Sequence, residues 1–217
     1  GELGDADPLG FTLAAAEIVL DLEARAAAVD PGVERSYLFC GHSRGGAVAN
    51  LLASYADGAS GAHGAIPSAG DVRAYTFATP NCTSAEDARD AIYDNIFNVL
   101  NPSDLVPQLP LAEWGYRRYG RDVWLPAEGQ AAFESSHDAM RDSYERSMGA
   151  ECPYDPSDRE TVDEIIDELG DEVSSFDKLT SPAGLLTLTR LFLGADAGRL
   201  LASHYPNTYI AWLDALR

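Results

Sequence analysis

The sequence predicts an α/β protein: a mostly parallel sheet with helices on both faces, joined to a helical insertion. Three observations lead there. Strand-like segments at Tyr37–Cys40, Val72–Ala78 and Ile96–Leu100 alternate with helical stretches, the pattern that builds parallel sheets. A G-x-S-x-G turn, Gly41-His42-Ser43-Arg44-Gly45, joins the first run to a helix. From about Pro126 to residue 200 the periodicity is helical throughout. The predicted organisation is a core of residues 1–125 and 201–217 with a helical cap inserted at 126–200.

Composition narrows the function classes. Across 217 residues, 46% are apolar and 23% charged, enough for a real core. The formal net charge of −20 repels nucleic acid and anionic membrane surfaces alike. No apolar run approaches the roughly 20 residues of a transmembrane span. Three cysteines do not make a disulfide framework: Cys40 reads as a small buried hydrophobe, and nothing in the spacing supports a Cys82–Cys152 pair. No metal-ligand spacing appears, so neither metal nor cofactor is expected.

The elements follow in order. Phe11 to about Val29 repeats Ala15, Val19, Leu22 and Ala26 on one helical face, and Pro31-Gly32 ends it. The strand to Cys40 comes next, then the turn, then a helix to about Tyr55. Asp57–Gly70, rich in Gly, Ala and Ser, reads as a surface connection containing His63. Val72–Ala78 is a strand closed by Thr79-Pro80, Ser84–Tyr93 a short helix, and Ile96–Leu100 a third strand. A proline-stiffened loop, Asn101–Pro110, follows it. Tyr116–Tyr119 and Asp122–Leu125 suggest a hairpin around Gly120-Arg121. Then come helices over Glu128–Met148, from a capping box at Ser157-x-x-Glu160, and from Ser181-Pro182. The second carries Val162, Ile165, Ile166 and Leu169. The Leu185–Phe192 face of the third has two readings, the lining of an apolar pocket or packing on the core. Pro206 opens a last helix with Tyr209, Ile210, Leu213 and Leu216 on one face.

The turn carries the chemistry. Strand, G-x-S-x-G and helix make a nucleophile elbow, which pushes the Ser43 hydroxyl out beyond the carboxyl edge of a sheet. The tightness of the turn predicts that both Gly41 and Gly45 are obligatory. A serine hydroxyl needs a base, and the base an orienting acid. Elbow hydrolases run Ser, acid, His along the chain. Of four histidines, His42 sits within the turn, His63 precedes any suitable acid, and His137 lies on a polar helix that reads as solvated. His204 stands in a break between two amphipathic helices and is preferred as the base, with helix capping its alternative. Asp104 follows a core strand by four residues, where active-site groups of parallel sheets collect. A loop-stabilising Asx turn could coexist with that role.

Together, Gly41–Gly46, Thr76-Phe77-Ala78-Thr79-Pro80, Asn98–Pro107 and Leu109-Pro110 resemble the successive blocks of the class 3, fungal-type lipases. Gly115-Tyr116, Trp124 and His204-Tyr205 fit the later blocks. The resemblance implies an α/β-hydrolase fold and a triad of Ser43, Asp104 and His204, with the Arg44 backbone amide as an oxyanion donor. Arg44 stands where the family usually has leucine, a change that leaves the amide in place. The family's second donor comes from an early strand and loop. This chain begins at Gly1 without it, so N-terminal strands are expected to be missing and an upstream segment of the same protein is an expected partner.

The implied function is hydrolysis of acylglycerols or other lipid or small esters. The alternatives are acyl transfer or thioester cleavage by the same triad, or a catalytically weak fragment that binds lipid or a partner.

Overall fold

The computed structural model describes residues 7–28, 35–57, 66, 69–194 and 197–217. His63 and most of the predicted Asp57–Gly70 connection lie outside them. The chain divides into two compact units, Gly1–Val99 with Gly115–Val123, and Leu100–Trp114 with Trp124–Arg217.

The first unit opens with helix α1 (Leu9–Ala27) and strand β1 (Arg35–His42). Helix α2 (Arg44–Asp57) and strands β2 (Ala69–Phe77), β3 (Ile96–Leu100) and β4 (Arg121–Trp124) follow. The sheet order is β1-β2-β3-β4, with β1–β2 and β2–β3 parallel. Helix α2 is the crossover between β1 and β2 and packs on both. Its buried Ala47, Leu51 and Tyr55 meet Ala15 and Val19 of α1 and Val72 and Ala74 of β2 in one core.

Polar groups inside this core are paired. Asn50 Nδ2 donates to Asn98 Oδ1 and to the Tyr119 carbonyl, both at 2.9 Å, while Asn50 Oδ1 accepts the Tyr119 N–H at 3.0 Å. Thr76 Oγ1 donates to the same Asn98 oxygen at 2.6 Å. Each group would cost about 1–3 kcal/mol if left unsatisfied.

Three expectations for this unit are corrected. Cys40 is exposed, as is Leu38 at 65%. Strand β1 lies at the sheet edge, and its period of two turns Tyr37 and Phe39 to the core and Leu38 and Cys40 to the other face. The Ser84–Tyr93 helix is reduced to a 3₁₀ turn at Ala91–Tyr93, because Thr83 pairs with Arg117 instead and the Thr83 hydroxyl accepts the Ala85 N–H at 3.1 Å. The hairpin fails for the same reason: Arg117 is bonded to Thr83, and β4 joins the sheet beside β3, with the Leu125 N–H on the Leu100 carbonyl at 2.8 Å.

The second unit is helical: α3 (Ala131–Met148), α4 (Asp158–Glu172), α5 (Phe176–Leu179), α6 (Pro182–Gly194), α7 (Ala197–His204) and α8 (Pro206–Ala215). The predicted α4 face holds, since Val162, Ile165 and Leu169 join Leu105, Leu111, Leu191 and Leu200 in its core. Leu188 packs against that core, whereas Leu185 and Leu186 are exposed. The side chain of Phe192 lies outside the described residues. On α8 the buried side chains are Thr208, Tyr209, Ala211 and Trp212, while the predicted Ile210, Leu213 and Leu216 are exposed.

The capping box at Ser157 is absent: Ser157 already has helical backbone angles, φ −65° and ψ −15°, and its hydroxyl donates to Asp155 Oδ1 at 2.7 Å. Ser181 does cap its helix, its Oγ accepting the Gly184 N–H at 3.2 Å. His137 is not solvated. It stacks on Phe133 at 4.6 Å, lies 6.2 Å from Trp212, and its Nε2 is buried. Burial first, then the nearby Arg141 charge, pushes its protonation downward.

Candidate active site

Within the first unit, the candidate feature is the elbow between β1 and α2. Ser43 has φ = 56°, the left-handed conformation that non-glycine residues adopt rarely and at a cost. The strain is held from both sides. The Ser43 N–H donates to the Phe77 carbonyl at 2.9 Å, and the Ser43 carbonyl accepts the Ala47 N–H at 3.1 Å, starting α2. A Cβ on Gly41 would run into the Gly45 carbonyl, and one on Gly46 would strike the Thr79 hydroxyl. A Cβ on Gly45 would meet nothing within 4 Å. Gly41 is therefore obligatory, but Gly45 is not, which corrects the sequence expectation. What crowds Gly41 is the backbone of Gly45, while the missing side chain there would point outward. Arg44 is the first residue of α2, so its amide is among the unpaired N–H groups at the positive end of the helix.

A groove of about 560 Å³ runs along the elbow, lined by Ala14 and Ile18 of α1, Leu38 and Cys40 of β1, and Arg44 and Val48 of α2.

Within the second unit, the candidate feature is an acid–histidine pair. Asp104 sits four residues beyond the end of β3 and is fully buried. His204 is the last residue of α7, with only Tyr205 between it and α8. Across one hundred residues of sequence, His204 Nδ1 lies 2.9 Å from Asp104 Oδ2 and 3.1 Å from Oδ1. A carboxylate only accepts, so Nδ1 carries the proton and the basic lone pair falls on Nε2. The Val106 N–H donates to Asp104 Oδ1 at 3.0 Å, and the Tyr209 hydroxyl to Oδ2 at 2.8 Å. These donors compensate the desolvation of a buried carboxylate. The reading of Asp104 as an Asx-turn residue is also met, by the Val106 bond.

Residues 13–114 match the lipase (class 3) family. The matched segment contains the elbow, the β2 end and the Asp104 loop; His204 lies beyond it and is bonded to Asp104. No curated protein matches the chain.

Among solved structures, a variant of MDLA from Penicillium cyclopium is 30% identical over 59% of this chain and 46% of its own, with a TM-score of 0.40. The Rhizomucor miehei triacylglyceride lipase is 23% identical over 54% and 43%, TM-score 0.39. The Rhizopus microsporus var. chinensis lipase is 19% identical over 54% and 40%, TM-score 0.38. This chain thus spans less than half the length of each of the three.

Ser43 and Arg44 fall in the first unit and the Asp104–His204 pair in the second. Sequence reasoning missed Tyr209 as a polar participant. Its place on an amphipathic helix marked it as core, and only its hydroxyl could have suggested more. Among the described residues no cluster of three or more His, Cys, Asp or Glu side chains is set to hold a metal ion. No helix among them is long and apolar enough to cross a membrane.

Proposed function

We propose that this chain is a lipase-like serine carboxylic-ester hydrolase acting on acylglycerols or other lipid esters through Ser43, His204 and Asp104. Ser43 Oγ attacks the ester carbonyl carbon while His204 Nε2 takes its proton. The tetrahedral oxyanion accepts the Arg44 N–H. The imidazolium then gives its proton to the departing alkoxide, leaving an acyl-serine. Water, deprotonated by His204, releases the acid and restores the serine. Asp104 stays ionised, fixes the Nδ1–H tautomer and stabilises the imidazolium.

One observation carries this reading above all. A fully buried carboxylate holds the Nδ1–H of a histidine a hundred residues away at 2.9 Å. A carboxylate serving only its own loop would have no use for such a partner. The left-handed backbone of Ser43, held in a strand–turn–helix, supports reading this serine as the nucleophile.

The test is labelling of the purified chain by a fluorophosphonate probe, followed by turnover of soluble esters. Ser43→Ala abolishes labelling. Asp104→Asn reverses the tautomer and lowers turnover by about 10⁴. Labelling that persists in Ser43→Ala defeats the proposal.

A further inference from the structure

We propose that Tyr209 is a positioning residue for the His204–Asp104 pair; this rests on the hydrolase reading above. Tyr209 lies in the first turn of α8, five residues after His204, and is 1% exposed. Its hydroxyl makes two bonds whose directions are chemically fixed. Asp104 can only accept, so the Tyr209 O–H donates to Oδ2 at 2.8 Å. The Asn101 backbone N–H can only donate, so the Tyr209 oxygen accepts it at 3.0 Å.

The two carboxylate oxygens are thereby held by different elements. Oδ1 is held by the Val106 N–H of its own loop, and Oδ2 by the helix that follows His204. Rotation of the carboxylate would break both bonds, so the imidazole meets a fixed acceptor plane. Asn101 ties the same elements a second time, its Nδ2 donating to the Ser203 carbonyl, next to His204, at 2.9 Å. Its Oδ1 accepts the Ser103 N–H at 3.1 Å and its carbonyl the Asp104 N–H at 3.1 Å. Both Asn101 and Asp104 are fully buried. In such a setting the hydroxyl adds to catalysis by pre-organising the acid, without touching substrate.

Two readouts test this in the full chain: kcat and KM on p-nitrophenyl butyrate, and the downfield NMR resonance of the His204 Nδ1 proton. Tyr209→Phe keeps the ring and removes the hydroxyl. It should lower kcat by roughly 10–100-fold at nearly constant KM and shift or broaden the resonance. Thr208→Val is the comparison, since it removes a neighbouring buried hydroxyl, bonded to the Ala202 carbonyl at 2.7 Å. It should lower only the melting temperature. Replacement of Tyr209 by 3-fluorotyrosine retains fold and hydroxyl and should also move the resonance, which covers the case of an unfolded Phe variant. A Phe variant with wild-type kcat and an unmoved resonance overturns the proposal, as does an unmoved resonance with 3-fluorotyrosine. If the wild type shows the resonance but neither turnover nor labelling, the hydrolase reading falls, and the resonance comparison alone then decides for or against Tyr209.

Discussion

At the scale of single residues, the elbow distinguishes glycines that the motif treats alike. Gly41→Ala forces a collision with the Gly45 backbone, so it should lower the melting temperature and abolish probe labelling. Gly45→Ala places a methyl group in open space in the first turn of α2. It should leave the fold intact and stabilise it by up to about 1 kcal/mol, because alanine loses less backbone entropy in a helix. Thermal melts of the two variants check this, and equal destabilisation would contradict it. Asp104 and His204 stood out in the sequence because the proposed chemistry demands an order along the chain and a loop just past a strand. The bond between them was not, since nothing local in residues 101–110 encodes a partner a hundred positions on. Tyr209 was invisible for a different reason: a buried tyrosine and a buried phenylalanine look the same in an apolar pattern.

At the scale of elements, long regular segments were legible and the irregular ones were not. α4 announced itself through Val162, Ile165 and Leu169, and β3 through a short run that is apolar except for Asn98. The segment after Pro80 misled, because its helix-compatible residues are captured by Arg117, which is distant in sequence. α8 misled in face, since its buried stripe includes Thr208 and Ala211, which an apolar count passes over. Caps follow backbone geometry: Ser157 already has helical φ and ψ and makes no cap bond, whereas the Ser181 oxygen accepts the Gly184 N–H while its O–H donates to the Lys178 carbonyl. Ser181→Ala should therefore cost about 1 kcal/mol by denaturant unfolding, and Ser157→Ala less, since Ser157 is bound to Asp155.

At the end of α2, burial pushes the Asp57 carboxyl up to about 6, against the Asn95 hydrogen bonds that favour its ionised form. A raised carboxyl binds more protons folded than unfolded. Stability should accordingly fall as pH rises from the ordinary carboxylate range through about 6. Asp57→Asn should flatten that decline and raise the melting temperature at pH 7, and unchanged pH dependence in melts of the variant would refute the assignment.

At the scale of the whole molecule, charge dominates. A formal net charge of −20 opposes approach to anionic surfaces and favours neutral ones. Hydrolysis of a short ester carried in phosphatidylcholine vesicles should exceed that in phosphatidylglycerol vesicles at low salt. The gap should close as salt shortens the Debye length to about 8 Å near 0.15 M. A salt-independent ratio would place the discrimination in the site rather than in the field.

The exposed side chain of Cys40 gives the molecule a practical asymmetry. Cys82 and Cys152 are buried and Cys40 is not, and burial also pushes both buried thiols away from their reactive form. A maleimide dye therefore attaches at one place without any engineering. That place is the wall of the groove beside Ser43, three residues from the nucleophile. Fluorescence from such a conjugate would report directly on whatever enters that groove, even in a protein whose serine has been removed.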